Sequence, residues 1–123
     1  MYVLPSDGTD QSLDTDGTIE TAIDSISHWF KTETDGLDLR WDTYTGKLDV
    51  TFYRLSAVEE SITAEVAYVR DRLERELRQD GVIGLHKQYM IFYDGGSTWS
   101  CGGGAWPPIL KGVVSAIYLK GTP

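Results

Sequence analysis

The run QYMIFY, Gln88 to Tyr93, is the stretch that decides the fold. Apolar and aromatic residues follow one another in it almost without interruption, which is typical of an interior strand of a sheet. A half-buried strand would instead alternate apolar and polar residues. The sequence therefore predicts an interior strand here, and the elements on either side of it define the class of fold.

Two amphipathic helices are predicted before this strand. The first has apolar residues at helical spacing from Ile19 to Phe30, with Asp16 or Thr18 as its N-cap and Asp35-Gly36 as its end. The second begins at a capping box, Ser56 to Glu59, and ends at Asp80-Gly81. Its apolar face comprises Ile62, Val66, Val69, Leu73 and Leu77.

Charged residues occupy the other face of this second helix. Asp71 precedes Arg75, and Glu74 precedes Arg78, by four positions each. Pairs at this spacing lie side by side on a helix surface. The pattern therefore predicts one continuous helix with a salt-bridged outer face.

Shorter strand patterns complete the fold. Tyr2–Pro5 and Val113–Leu119 are predicted as the first and last strands. Leu37–Trp41 and Leu48–Phe52 alternate apolar and polar residues about a turn at 45–47, which allows a hairpin. Strands that alternate with helices predict an α/β (α+β) fold with a mixed, twisted sheet of four or five strands and two helices.

Composition limits the partners. The chain has 123 residues, a net charge of −8 and a pI of about 4.5, which argue against nucleic-acid and anionic-membrane surfaces. No apolar run approaches the roughly 18 residues of a membrane span. The first five residues are too short for a signal peptide. Residues 1–123 are therefore expected to form one domain, or the N-terminal part of a larger one, that meets neither nucleic acid nor membrane.

The segment GGSTWSCGGGAWPP, Gly95 to Pro108, is too rich in glycine and proline for regular structure. A phosphate-binding loop is excluded, because Gly102-Gly103-Gly104 runs into Ala105-Trp106-Pro107-Pro108 and not into a helix. Trp99 and Trp106 allow two interpretations: rings that stack on a sugar, or rings that cover the glycines. Cys101 has no second cysteine in the chain to pair with.

Metal sites are weakly indicated. The two histidines, His28 and His86, form no His-x-x-x-His pair, so no zinc site is expected. The acidic loop of Asp10, Asp14 and Asp16 has part of a calcium-loop spacing. Ile23 stands where that loop requires a glutamate. A solvated cap-and-turn loop is expected, with a weak calcium site as the alternative.

Taken together, the chain resembles the N-terminal half of a family of secreted bacterial proteins with zincin-type, metallopeptidase-like domains. The segments that carry the resemblance are Leu4–Asp10, Leu39–Leu55, Val69–Asp71, Tyr93–Pro108 and Ala116–Gly121. The resemblance implies a mixed sheet with two helices, ahead of a helix with the metal-binding histidines and a glutamate. That His-Glu-x-x-His helix is not in this sequence, so no peptidase activity is expected of the chain alone, and zinc is expected only in a longer parent protein.

The resemblance also implies roles for the glycine-rich segment. Gly102, Gly103, Gly104 and Trp106 are predicted to form an edge of the substrate cleft, and Cys101 to pair with a cysteine beyond Pro123. The alternative for the segment is a disulfide-tethered structural loop with no role in binding substrate. An extracellular location follows, with the missing C-terminal half, or self-association, as the partner. The alternative functions are a stand-alone extracellular module that binds carbohydrate or peptide and a weak calcium-binding surface domain.

Overall fold

A computed structural model describes residues 1–105 and 112–122. Strands and helices alternate in it, and the predicted mixed α/β class is confirmed. The elements in chain order are β1 (Tyr2–Leu4), α1 (Thr18–Glu33), β2 (Thr43–Tyr44), β3 (Lys47–Leu48), β4 (Phe52–Arg54), α2 (Glu59–Thr63), a 3₁₀ turn (Val66–Tyr68), α3 (Val69–Gln79), β5 (Tyr89–Tyr93), β6 (Gly102–Gly103) and β7 (Val114–Tyr118).

The main sheet has five strands in the order β4-β1-β5-β7-β6. Strands β4, β1, β5 and β7 are parallel to one another, and β6 runs antiparallel to β7 at one edge. β5 lies between β1 and β7, so the interior strand predicted from QYMIFY is confirmed. A separate two-stranded sheet pairs β2 with β3.

The chain divides into two compact units, Met1–Asp10 with Phe52–Pro123, and Gln11–Thr51. The first unit contains the five-stranded sheet, α2 and α3. Its core joins one face of the sheet to the apolar face of α3. The fully buried members of this core are Val3, Ile62, Val69, Leu73, Leu77, Ile91, Tyr93 and Val114.

The second unit contains α1 and the β2–β3 hairpin. The expected strand over Leu37–Trp41 is wrong, since these residues precede the hairpin and pair with no strand. Thr45 and Gly46 both have positive φ, the geometry of a two-residue turn that closes a hairpin after only two pairs. Trp41 Nε1 donates to Ser27 Oγ of α1 at 2.8 Å, so a side-chain contact holds the residue that periodicity assigned to a strand.

The predicted second helix is broken. α2 ends at Thr63, and α3 begins at Val69 after a 3₁₀ turn. Val66 has a φ of 52° and is 44% exposed, whereas Ile62 and Val69 on either side of it are fully buried. The apolar spacing was therefore right for four of the five positions and wrong for Val66, where the backbone turns left-handed.

The expected capping box is also wrong. Ser56 Oγ donates to Glu76 Oε1 at 2.8 Å and does not cap α2. The Glu59 N–H instead donates to Asp7 Oδ1 at 2.8 Å. Because Asp7 follows β1, a long-range contact replaces the local cap, and no short sequence motif reports it.

Three charged side chains of α3 are buried: Arg70, Glu74 and Glu76 are each 5–6% exposed. Arg70 Nη1 donates to Glu74 Oε2 and, at 3.0 Å, to the Val114 carbonyl. Glu74 Oε1 accepts the Val113 N–H at 3.1 Å. The predicted pair of Glu74 and Arg78 is present. Part of this charged face is buried, and Arg70 and Glu74 bond the backbone at the start of β7.

Burial alone would raise the pKa of the Glu74 carboxyl. The N–H of Val113 and the guanidinium groups of Arg70 and Arg78 outweigh it and lower the pKa below the usual 4.5. A carboxyl group whose pKa is lower in the folded than in the unfolded state stabilises the fold, and this stabilisation is complete at pH values above the unfolded-state pKa. That stability is lost as the pH falls through the lower folded-state pKa.

Glu74→Gln is expected to destabilise the protein by about 1.5–3 kcal/mol at pH 7, because the buried Arg70 loses one of its two carboxylate partners and keeps only Asp71. The difference from the unsubstituted protein should shrink below pH 4.5 as Glu74 itself takes up a proton. Urea unfolding at pH 7 and pH 3 measures both. Glu60→Gln, at an exposed position of α2, is the control; equal losses in the two variants at pH 7 would contradict this role of Glu74.

Candidate functional site

The candidate site is the outer edge of β6. Gly102 pairs with Ile117 and Gly103 with Ala116, while the Tyr118 N–H donates to the Cys101 carbonyl at 2.9 Å. Alternate residues of an antiparallel strand bond to the neighbouring strand. The N–H and C=O of Gly102 are therefore directed to the outer side, where the carbonyl also accepts Ser100 Oγ at 2.9 Å.

Space explains two of the three consecutive glycines. A Cβ on Gly102 would lie 2.7 Å from the Ala116 carbonyl oxygen. One on Gly103 would lie 2.9 Å from both Arg70 Cβ and the Tyr118 hydroxyl. A Cβ on Gly104, which follows the strand, would meet no atom within 4 Å. Gly102 and Gly103 thus let β6 lie against β7 and against the stem of Arg70.

Gly103→Ala is expected to destabilise the protein by about 1–3 kcal/mol, because the added methyl must displace Arg70 or Tyr118. Gly104→Ala is the matched control and should change stability by no more than about 0.5 kcal/mol. Thermal unfolding of the two variants makes the comparison. Equal effects would show that β6 does not rest on α3 in this way.

A carboxylate that sequence reasoning missed fixes the loop after β5. Asp94 is 4% exposed; it accepts the Tyr2 hydroxyl on Oδ2 at 2.8 Å and lies 3.3 Å from Lys120 Nζ. Glu59 Oε1 accepts the Gly96 N–H at 2.8 Å. The only sequence feature that could have indicated this role of Asp94 is its position directly after the interior strand. These bonds hold the chain that leads from β5 to β6.

Tyr93 is packed into the same region. Its hydroxyl is buried and has no hydrogen-bond partner among residues 1–105 and 112–122. Burial raises the pKa of this hydroxyl, and the carboxylates of Glu59 and Asp7 raise it further. A Cβ on Gly95 would lie 2.2 Å from the Tyr93 ring, so Gly95 is needed to admit it. Tyr93 is thus a neutral core side chain.

Ser97 organises the surface beside β6. It is 4% exposed, and its Oγ accepts the N–H of Trp99 at 3.1 Å. The same Oγ lies 3.5 Å from the Val66 carbonyl oxygen, at the long end of hydrogen-bond geometry. The Trp99 side chain is 69% exposed, so it does not cover the glycines.

The other predicted site residues lie apart from this edge or outside the description. Cys101 is an exposed, free thiol immediately before β6, and its pairing with a later cysteine stays a prediction. Trp106 lies outside the described residues. Asp16 Oδ1 accepts the Thr18 N–H at 2.8 Å, and this bond lowers the pKa of Asp16.

No metal centre is evident in residues 1–105 and 112–122. This part of the chain contains no group of three or more His, Cys, Asp or Glu side chains that could hold a metal ion. Asp10, Asp14 and Asp16, the residues of the calcium alternative, lie in this part of the chain. The calcium alternative therefore gains no support from the geometry.

A shallow cleft of about 330 Å³ runs along α3. Its lining residues are Arg70, Asp71, Glu74, Arg75, Arg78 and Gln79. Arg70 and Glu74 are bonded to each other and to the backbone of β7. The cleft is therefore lined by ion pairs that support the sheet.

Comparison with known proteins finds no matching family model, no similar curated protein and no similar solved structure. No helix within the described ranges, 1–105 and 112–122, has the length and apolar character needed to cross a membrane. The edge of β6 and the residues around it are therefore the basis for a proposed function.

Proposed function

We propose that the chain is the non-catalytic N-terminal portion of a secreted, zincin-like metallopeptidase-type domain, and that β6 forms an edge of its substrate cleft. The observation that carries the proposal is the antiparallel edge strand on an otherwise parallel sheet. In the family that the sequence resembles, an edge strand beside the active-site helix binds substrate in extended form. Zinc and its ligands would belong to the parent protein.

Strand addition explains how this edge would hold a peptide. An extended chain can add to a sheet through main-chain hydrogen bonds, and Gly102 directs outward its N–H and a carbonyl that also accepts the Ser100 hydroxyl. Each bond contributes a net ~0.5–1.5 kcal/mol, and association opposes this by at least ~4 kcal/mol. A two-residue strand therefore sets the register of a bound peptide, while other contacts must supply much of its affinity.

A covering partner is consistent with the second face of β7. Val114, Ala116 and Tyr118 face the core, but Ser115 is exposed, Ile117 is half-buried and Leu119 is 41% exposed. A C-terminal half of such a domain, or a second copy of the chain, would cover this strip. The exposed thiol of Cys101, next to β6, would be accessible to a cysteine of that partner.

The edge function predicts weak, backbone-mediated binding of an extended peptide. Acetyl-Thr-Val-Ser-Phe-Thr-Ser-amide, titrated into the isotope-labelled chain, should shift the amide resonances of Gly102 and its neighbours at millimolar peptide. The same peptide with N-methyl groups on alternate amides cannot make these bonds and serves as the control. Equal shifts with both peptides, or none with either, would contradict edge pairing.

One observation favours a second candidate, a stand-alone carbohydrate-binding module. Trp99 is 69% exposed, as a ring that stacks on a sugar would be. Titration with cellohexaose, followed at the Trp99 indole N–H resonance, distinguishes this candidate. Saturable shifts at Trp99 with the sugar but not with the peptide would favour it.

A further inference from the structure

Val66 and Trp99 are two exposed apolar residues beside the start of β6. Val66 is 44% and Trp99 69% exposed. Their backbones approach the same buried hydroxyl, because Ser97 Oγ accepts the Trp99 N–H and lies 3.5 Å from the Val66 carbonyl oxygen. The chain then passes through Ser100, whose hydroxyl donates to the Gly102 carbonyl. Ser97 therefore brings the backbones of both residues to the segment that leads into β6.

The backbone holds Val66 in an unfavourable conformation. Its φ of 52° lies in the left-handed region, which β-branched residues rarely adopt. Helical continuation would have placed Val66 on the buried face with Ile62 and Val69. The left-handed turn exposes it instead, and backbone strain of this kind concentrates at functional sites.

Resting on the edge-pairing function, we propose that Val66 and Trp99 form a subsite for one large apolar side chain of a peptide bound along β6. The strand itself consists of glycines, so it offers no side chain with which to distinguish peptides. Alternate side chains of a bound strand project to one face. The residues beside the edge are those that such a side chain meets.

The charges near the subsite favour an apolar occupant over a charged one. Glu65, next to Val66, is bonded to Arg72 and Arg75 at 3.3 Å each. Lys120 lies 3.3 Å from Asp94 and 3.7 Å from Glu59. These charges are already paired with one another, and an aromatic or aliphatic side chain would cover the exposed apolar surface of Val66 and Trp99.

The test compares two peptides that differ at one side chain. Acetyl-Thr-Val-Ser-Phe-Thr-Ser-amide should bind the full chain about tenfold more tightly than the same peptide with serine in place of phenylalanine, because one aromatic ring is buried. Trp99→Ala should abolish this preference. Trp29→Ala, which removes a ring of similar exposure on α1, should retain it.

Val66→Gly separates function from folding. Glycine adopts a left-handed φ without strain, so this variant should unfold at an equal or higher temperature than the unsubstituted chain. The preference for phenylalanine should nevertheless fall several-fold. A loss of preference together with a lower unfolding temperature would indicate a structural role and would overturn the proposal for Val66.

The outcomes distinguish the two levels of the argument. If both peptides bind equally and still shift Gly102, the subsite is wrong and edge pairing stands. If neither peptide binds, edge pairing fails and the subsite fails with it. Binding of cellohexaose at Trp99, without peptide binding, would overturn both in favour of the carbohydrate module.

Discussion

The buried ion pair of Arg70 and Glu74 is the interaction on which one edge of the sheet depends. Each side chain also bonds the backbone at the start of β7, Arg70 through the Val114 carbonyl and Glu74 through the Val113 N–H. A buried ion pair is stable only when further hydrogen bonds satisfy its charged groups, and the backbone at the start of β7 supplies one such bond to each side chain. The stem of Arg70 also supports Gly103 of β6. One side chain thereby positions two strands.

The proposed function follows from what this arrangement leaves at the surface. β6 is a short strand of glycines, held from below by Arg70 and from the side by β7. It can present backbone groups in register but offers no side-chain chemistry of its own. The exposed apolar residues Val66 and Trp99, organised by Ser97, supply the neighbouring surface that the strand lacks. In this proposal β6 sets the register of a bound peptide, and Val66 and Trp99 select its side chain.

Patterns in the sequence predicted the elements whose formation is governed by local burial. The apolar run of β5 and the spacing of Ile62, Val69, Leu73 and Leu77 were read correctly because burial alone determines them. Prediction from the sequence was wrong where a residue distant in sequence makes the contact. Asp7 caps α2 from 52 positions away, and Glu74 accepts the N–H of Val113. The left-handed backbone of Val66 could not be predicted for the same reason, since the spacing of Val66 fits a helix that tertiary contacts interrupt.

Hydrogen exchange in Arg70→Met tests the central claim, that Arg70 positions the edge strand. The Tyr118 N–H reports the β6–β7 pairing through its bond to the Cys101 carbonyl, and the Phe92 N–H, bonded to the Met1 carbonyl, reports the middle of the sheet. The account predicts that Tyr118 loses protection by a much larger factor than Phe92. Equal losses at the two amides would mean that Arg70 stabilises the fold as a whole without positioning β6, and would contradict it.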